Sequence, residues 1–139
     1  MSNSKKIKFE EKILLKHHSH YKIGGPARYF FVGENTDEII KAVNKASQLK
    51  IPIFVLGGGS NTLFDDDGFS GLILKPNIQF IEKEGNILRV GAGVSITQLL
   101  NYSIAKNLSG LEWLAGIPGT LGGAIRGNAG AFGGEIKNV

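Results

Sequence analysis

The chain has 139 residues, a formal net charge of +4 and no cysteine, which excludes disulfides and thiolate metal sites. No apolar run approaches the roughly 20 residues that cross a bilayer, and the polar, lysine-rich start lacks the apolar core of a secretory signal. A cytoplasmic chain without a membrane partner is therefore expected.

Residues 1–28 carry Lys5, Lys6, Lys8, Lys12, Lys16, Lys22 and Arg28 against Glu10 and Glu11, so most of the positive charge sits there. A basic arm can attract an anionic partner. Only Phe9 and Tyr21 fall among these lysines, short of the run of stacking aromatics a single-strand binder uses, so 1–22 reads as a solvated basic segment with no nucleic-acid partner. His17, His18 and His20 are closely spaced but have no cysteine or suitable acidic co-ligand nearby, and no metal site is expected.

Lys22-Ile23-Gly24-Gly25-Pro26-Ala27 is a turn signal, and Arg28-Tyr29-Phe30-Phe31-Val32 follows as a strand. Asn35 and Thr36 are N-cap residues for a helix whose first turn holds Asp37 and Glu38. Ile39, Ile40, Val43 and Ala46 are expected on its inner face, with Lys41, Asn44, Lys45 and Gln48 outward. Pro52 ends that helix, and Ile53-Phe54-Val55-Leu56 has the composition of a buried strand. Asp65-Asp66-Asp67-Gly68 is an exposed turn, and residues 71–75 form the next strand. Residues 78–83 and 87–90 predict a hairpin around Glu84-Gly85-Asn86. Ser95-Ile96-Thr97-Gln98 is a capping box opening a helix with Ile96, Leu99, Leu100 and Ile104 on its apolar face. That helix stops near residues 107–110, and residues 111–115 form a short helical turn with Trp113 as a core or loop anchor.

The 20 glycines are about twice the usual share, and they concentrate in two loops. The first, Gly57-Gly58-Gly59-Ser60-Asn61, directly follows the strand at 53–56. It lacks the Gly-Lys-Ser/Thr of a Walker loop and the Gly-x-Gly-x-x-Gly spacing of a dinucleotide fingerprint. Free N–H groups there, with Ser60 and Asn61, would suit a diphosphate; a plain tight turn explains the triple glycine equally. The second comprises Gly116, Ile117, Pro118, Gly119, Thr120, Leu121, Gly122, Gly123 and Ala124, with Asn128-Ala129-Gly130 beyond it. A helix beginning at residues 120–124 would aim its positive end at a phosphate, and Asn128 could reach a cofactor through its amide. A glycine-rich corner between packed elements is the alternative. Arg126 suits a phosphate partner or a surface role.

Three motifs together, IGGPA (23–27), VLGGGSNTL (55–63) and AGIPGTLGGAIRGNAGA (115–131), resemble the UDP-N-acetylenolpyruvoylglucosamine reductase (MurB) family. The resemblance runs from about residue 7 to 139 and matches the N-terminal half of that family. It implies an α+β FAD-binding fold of the vanillyl-alcohol-oxidase (PCMH) type. A first subdomain would span 23–77 and a second, incomplete one 78–139, with the substrate domain absent. It further implies that Gly57, Gly58, Gly59, Ser60 and Asn61 cradle the FAD diphosphate. Residues 116–124 would line the cofactor from the second subdomain, with Gly91, Gly93 and Asn128 close to it.

The family's reaction reduces UDP-N-acetylglucosamine enolpyruvate to UDP-N-acetylmuramate for peptidoglycan synthesis, with NADPH as hydride donor to FAD. Its catalytic arginine, serine and glutamate are expected beyond Val139, so no catalytic residue is assigned within this chain and Arg126 is not equated with that arginine. The chain alone is expected to be poorly stable and inactive. Two other readings stand beside this one: another flavin oxidoreductase of the same fold, or a non-catalytic flavin-binding half that needs a partner chain. No histidine lies between Ser60 and Val139, which argues against covalent flavin attachment through histidine in that span.

Overall fold

A computed structural model describes residues 7–139. The first strand, β1 (Glu10–Leu14), was not foreseen, because its EEKIL sequence hides one inward residue among charges. It pairs antiparallel with β2 (Pro26–Gly33), with Glu11 opposite Tyr29 and Ile13 opposite Ala27. The segment that charge alone sets apart as a basic arm thus joins the first sheet at residues 10–14, with Phe9 in the core and Ile7 packed against it. Helix α1 (Thr36–Gln48) starts where expected: Asn35 Oδ1 accepts from the Glu38 N–H at 3.0 Å.

Its inner face differs from the expectation. Ala42 and Ala46 are fully buried and Ile39 packs with them, whereas Ile40 and Val43 are exposed. Two alanines let the helix sit close to the sheet. Lys45, expected outward, instead turns over the edge of that contact. Its ammonium donates to the Ile7 carbonyl at 2.8 Å and lies 4.4 Å from the centre of the Phe9 ring. Its aliphatic stem covers apolar surface while the charge stays satisfied.

Strand β3 (Ile53–Val55) is followed by the first glycine loop, and β4 (Phe69–Pro76) by the link to the rest of the chain. The sheet order is β1-β2-β4-β3, with β4 parallel to both β2 and β3. Residues 53–55 therefore form an edge strand and not a buried one, and Val55 is 61% exposed. The apolar run alone cannot tell centre from edge; β4, arriving later in the chain, takes the central place. Its alternation separates two cores. Leu72 and Leu74 face α1 with Phe9, while Ile73 faces Leu15, Ala27, Phe30, Leu56 and Phe64.

The Gly24-Gly25 turn packs backbone to backbone on the Asp65–Gly68 turn. The Gly25 N–H donates to the Asp65 carbonyl at 2.9 Å, and a Cβ on Gly25 would lie 2.7 Å from the Gly68 nitrogen.

Beyond β4, residues 77–80 run beside residues 91–94. The hairpin β5 (Ile81–Glu84) and β6 (Ile87–Val90) turns through Gly85 and Asn86 as expected, with Gly85 at φ +57°. Helix α2 (Ile96–Ala105) carries both halves of the Ser95–Gln98 capping box. A 3-10 turn follows at Glu112–Leu114, and then α3 (Leu121–Gly127), capped by Thr120. Ile96, Leu114 and Ala124 form the core of this second unit. The small hairpin β7 (Gly130–Ala131) and β8 (Gly134–Glu135) turns on Phe132 and Gly133, both at positive φ. No helix among the described residues is long and apolar enough to cross a membrane.

Candidate cofactor site

The two glycine loops meet. A Cβ on Gly58 would lie 2.8 Å from Gly119 Cα, and one on Gly57 would lie 2.7 Å from Thr120 Oγ1. Ser60 Oγ donates to the Pro118 carbonyl at 3.3 Å across the junction. The first loop leaves the C-terminal end of β3 in a parallel part of the sheet, where ligands of α/β sheets settle. The second is tied to the start of α2: the Ile96 N–H donates to the Gly119 carbonyl at 3.1 Å and the Leu121 N–H to the Val94 carbonyl at 2.8 Å.

The backbone donors divide into two groups. Among the described residues, the N–H groups of Gly57, Gly58, Gly59, Ser60 and Asn61 have no protein acceptor, nor do those of Gly116, Gly119 and Thr120. The expectation for the N-terminus of α3 meets a different outcome. The helix forms, but the N–H groups of Leu121, Gly122 and Gly123 already bond to the Val94 carbonyl, the Ala92 carbonyl and Thr120 Oγ1. Ile117 and Ala124 likewise donate to the carbonyls of Leu114 and Thr120.

Gly91 and Gly93 also have a local task. Their N–H groups bond to the Phe80 and Ile78 carbonyls, and a Cβ on Gly93 would lie 2.8 Å from Asn77 Cα. These glycines let the link at 77–80 close against the strand end. Gln79 completes that seam, donating to the Gly93 carbonyl at 2.6 Å and to Asn77 Oδ1 at 3.0 Å. Asn77 in turn donates to the Glu34 carboxylate at 2.9 Å, which joins the second unit to the end of β2. Sequence reasoning had no signal for this latch, since its members lie far apart in the chain.

Asn128 caps α3 in the left-handed region at φ 45°. Its amide is engaged at both ends, donating to Glu135 Oε2 at 2.7 Å and accepting from the Lys137 N–H at 3.0 Å. Lys137 and Asn128 together hold the Glu135 carboxyl below its usual range. Trp113 is half-buried, donates to the Gly110 carbonyl at 3.1 Å and leaves no room for a side chain at Gly134, which makes it a loop anchor. Arg126 is exposed. Among the described residues no cluster of three or more metal-ligating side chains occurs.

The donor set is chemically coherent. Unpaired N–H groups lie on two loops that touch, and residues 57–63 and 115–124 contain no carboxylate. Such a set of neutral donors suits a diphosphate, and the residues present therefore fit a phosphate-bearing cofactor.

An α+β domain with two joined units and a donor-lined seam between glycine loops is the arrangement of an FAD-binding fold. Residues 27–139 match the family described as FAD binding domain, and the chain belongs to that family. It is similar to UDP-N-acetylenolpyruvoylglucosamine reductases from Alkaliphilus oremlandii (39% identity, 90% of this chain, 42% of that protein) and Protochlamydia amoebophila (43% identity, 94% of this chain, 44% of that protein). The crystal structure of UDP-N-acetylenolpyruvylglucosamine reductase (MurB) from Thermus caldophilus superposes with a TM-score of 0.77 at 34% identity. The alignment covers 92% of this chain and 45% of that one. The chain thus spans less than half the length of the relatives it matches.

Proposed function

We propose that this chain is the FAD-binding portion of a UDP-N-acetylmuramate-forming reductase. The observation that carries the reading is the meeting of the two glycine loops, with the N–H groups of residues 57–61 left free of protein acceptors. Residues 57–61 would hold the diphosphate by backbone donors, with Ser60 and Asn61 beside them. Gly116, Gly119 and Thr120 would add donors from the facing loop, and Ile117, Pro118, Gly122, Gly123 and Ala124 would line the cofactor as backbone and apolar wall. When bound, FAD would supply hydride-transfer chemistry between NADPH and the enolpyruvyl group of the UDP-sugar substrate.

This chain's own contribution is binding and orientation. Packing glycine against glycine brings donors of the two units within reach of one diphosphate, with the short side chains of Ser60 and Thr120 at the seam. The arginine, serine and glutamate of the reaction are assigned to the part of the relatives that this chain does not span.

The test is titration of the purified chain with FAD, followed by quenching of flavin fluorescence and by the visible flavin spectrum. Saturable one-to-one binding with a perturbed spectrum is expected. Absence of binding at about 100 μM FAD, a level at which even a weak specific site would be half occupied, would remove the reading.

A further inference from the structure

Ser19 is a buried polar residue, 2% exposed, that the cofactor reading leaves without a role. Its hydroxyl donates to the Thr62 carbonyl at 3.1 Å and accepts from the Tyr21 N–H at 3.2 Å. One residue on, the His20 N–H donates to the Gly59 carbonyl at 3.0 Å. Gly59 stands at φ +70°, and a Cβ there would lie 3.2 Å from Ser19 Cα, so the loop rests directly on residues 18–20. The first glycine loop is thus fastened from behind at Gly59 and Thr62.

The consequence follows from peptide geometry. In a trans peptide the C=O and the following N–H point in opposite directions, and the described chain contains no cis peptide. Holding the Gly59 carbonyl against His20 aims the Ser60 N–H away from residues 18–20. Holding the Thr62 carbonyl against Ser19 does the same for the Leu63 N–H. The backing segment therefore sets the direction of donors in a loop whose glycines would otherwise sample many conformations.

We propose that Ser19 is a positioning residue for the anion cradle: through its hydroxyl it keeps the 57–62 loop preorganised for a diphosphate. The proposal rests on the FAD-binding reading for the ligand, but the loop order it asserts does not depend on any ligand.

The experiment compares the full chain with Ser19→Ala, and with Ser19→Thr and Ser19→Val, which share a shape and differ in the hydroxyl. Ala46→Gly, in the helix core away from the loop, controls for general destabilisation. Amide hydrogen exchange of His20, whose N–H is held by the Gly59 carbonyl, is measured for each without ligand, together with FAD affinity. Ser19→Ala and Ser19→Val are expected to speed exchange at His20 by about tenfold and to weaken FAD binding by a similar factor, the loss of one buried hydrogen bond. At His20, Ser19→Thr exchanges more slowly than Ser19→Val, and Ala46→Gly keeps the rate of the parent. Equal His20 exchange in the parent, Ser19→Ala and Ser19→Val would overturn the proposal, as would equally fast His20 exchange in Ala46→Gly. If the parent chain binds no FAD, the cofactor reading fails while the exchange comparison still decides the role of Ser19.

Discussion

Substituting Gly58 by alanine inserts one methyl group between the two loops. The new Cβ would stand 2.8 Å from Gly119 Cα and 3.3 Å from the Gly119 carbonyl carbon, whereas ordinary contact begins near 3.4 Å. Both neighbours are backbone, so no side chain can swing away and the loops must part by several tenths of an ångström. Overpacking of this kind costs about 1–3 kcal/mol. Gly58 is not in the left-handed region, so alanine also restricts the unfolded chain and returns about 0.4–1 kcal/mol. The net loss is about 1–2 kcal/mol, which for a chain of this size lowers Tm by roughly 3–8 °C.

Gly127→Ala supplies the comparison. It closes α3 at ordinary φ, with no neighbouring atom within 4 Å of a new Cβ, so the same chemical change should stabilise by about 0.5–1 kcal/mol. Thermal denaturation followed by circular dichroism, with FAD titration of each variant, measures both effects. Gly58→Ala is expected to melt lower and bind FAD several-fold more weakly, and Gly127→Ala to melt higher with unchanged affinity. A Gly58→Ala chain that melts at or above the parent would show that the loops do not touch in solution, and the construction of the site from their contact would fall.

Two further outcomes are expected. Ser95→Ala removes the capping box of α2, in which Ser95 Oγ accepts from the Gln98 N–H at 3.1 Å; it should cost about 1 kcal/mol in chemical denaturation, and an unchanged midpoint would contradict the cap. Burial first, then the charges of Lys75 and His17, holds the His18 imidazole below its ordinary value of 6.5, with Glu10 opposing. The unfolded chain then takes up the proton first as pH falls, so this part of the stability is complete above about pH 6.5 and declines below it. His18→Gln should flatten the decline in urea midpoints between about pH 7 and 5, and identical pH profiles for both chains would refute the assignment.

Much of the local structure was legible in the sequence because its causes lie within a few residues. Asn35 with Glu38 and Ser95 with Gln98 cap helices by bonds spanning three positions. Gly85-Asn86 turns a hairpin, and Asp65 and Gly68 close a turn through the Gly68 N–H to the Asp65 carbonyl at 3.0 Å. The two glycine loops were recognisable as motifs for the same reason: composition alone marks a backbone that must pass close to something.

What that something is belongs to the tertiary structure. Gly58 approaches Gly119, Gly93 approaches Asn77, and Gly25 approaches the Asp65–Gly68 turn. Identical residues thus serve a seam between loops, a link between units and a packing corner. The inward turn of Lys45, the edge position of residues 53–55 and the engagement of Asn128 by Glu135 and Lys137 were likewise hidden. Caps and turns are decided by neighbours along the chain. Which donors stay free for a ligand depends on acceptors brought in from distant segments, and only the folded arrangement places those.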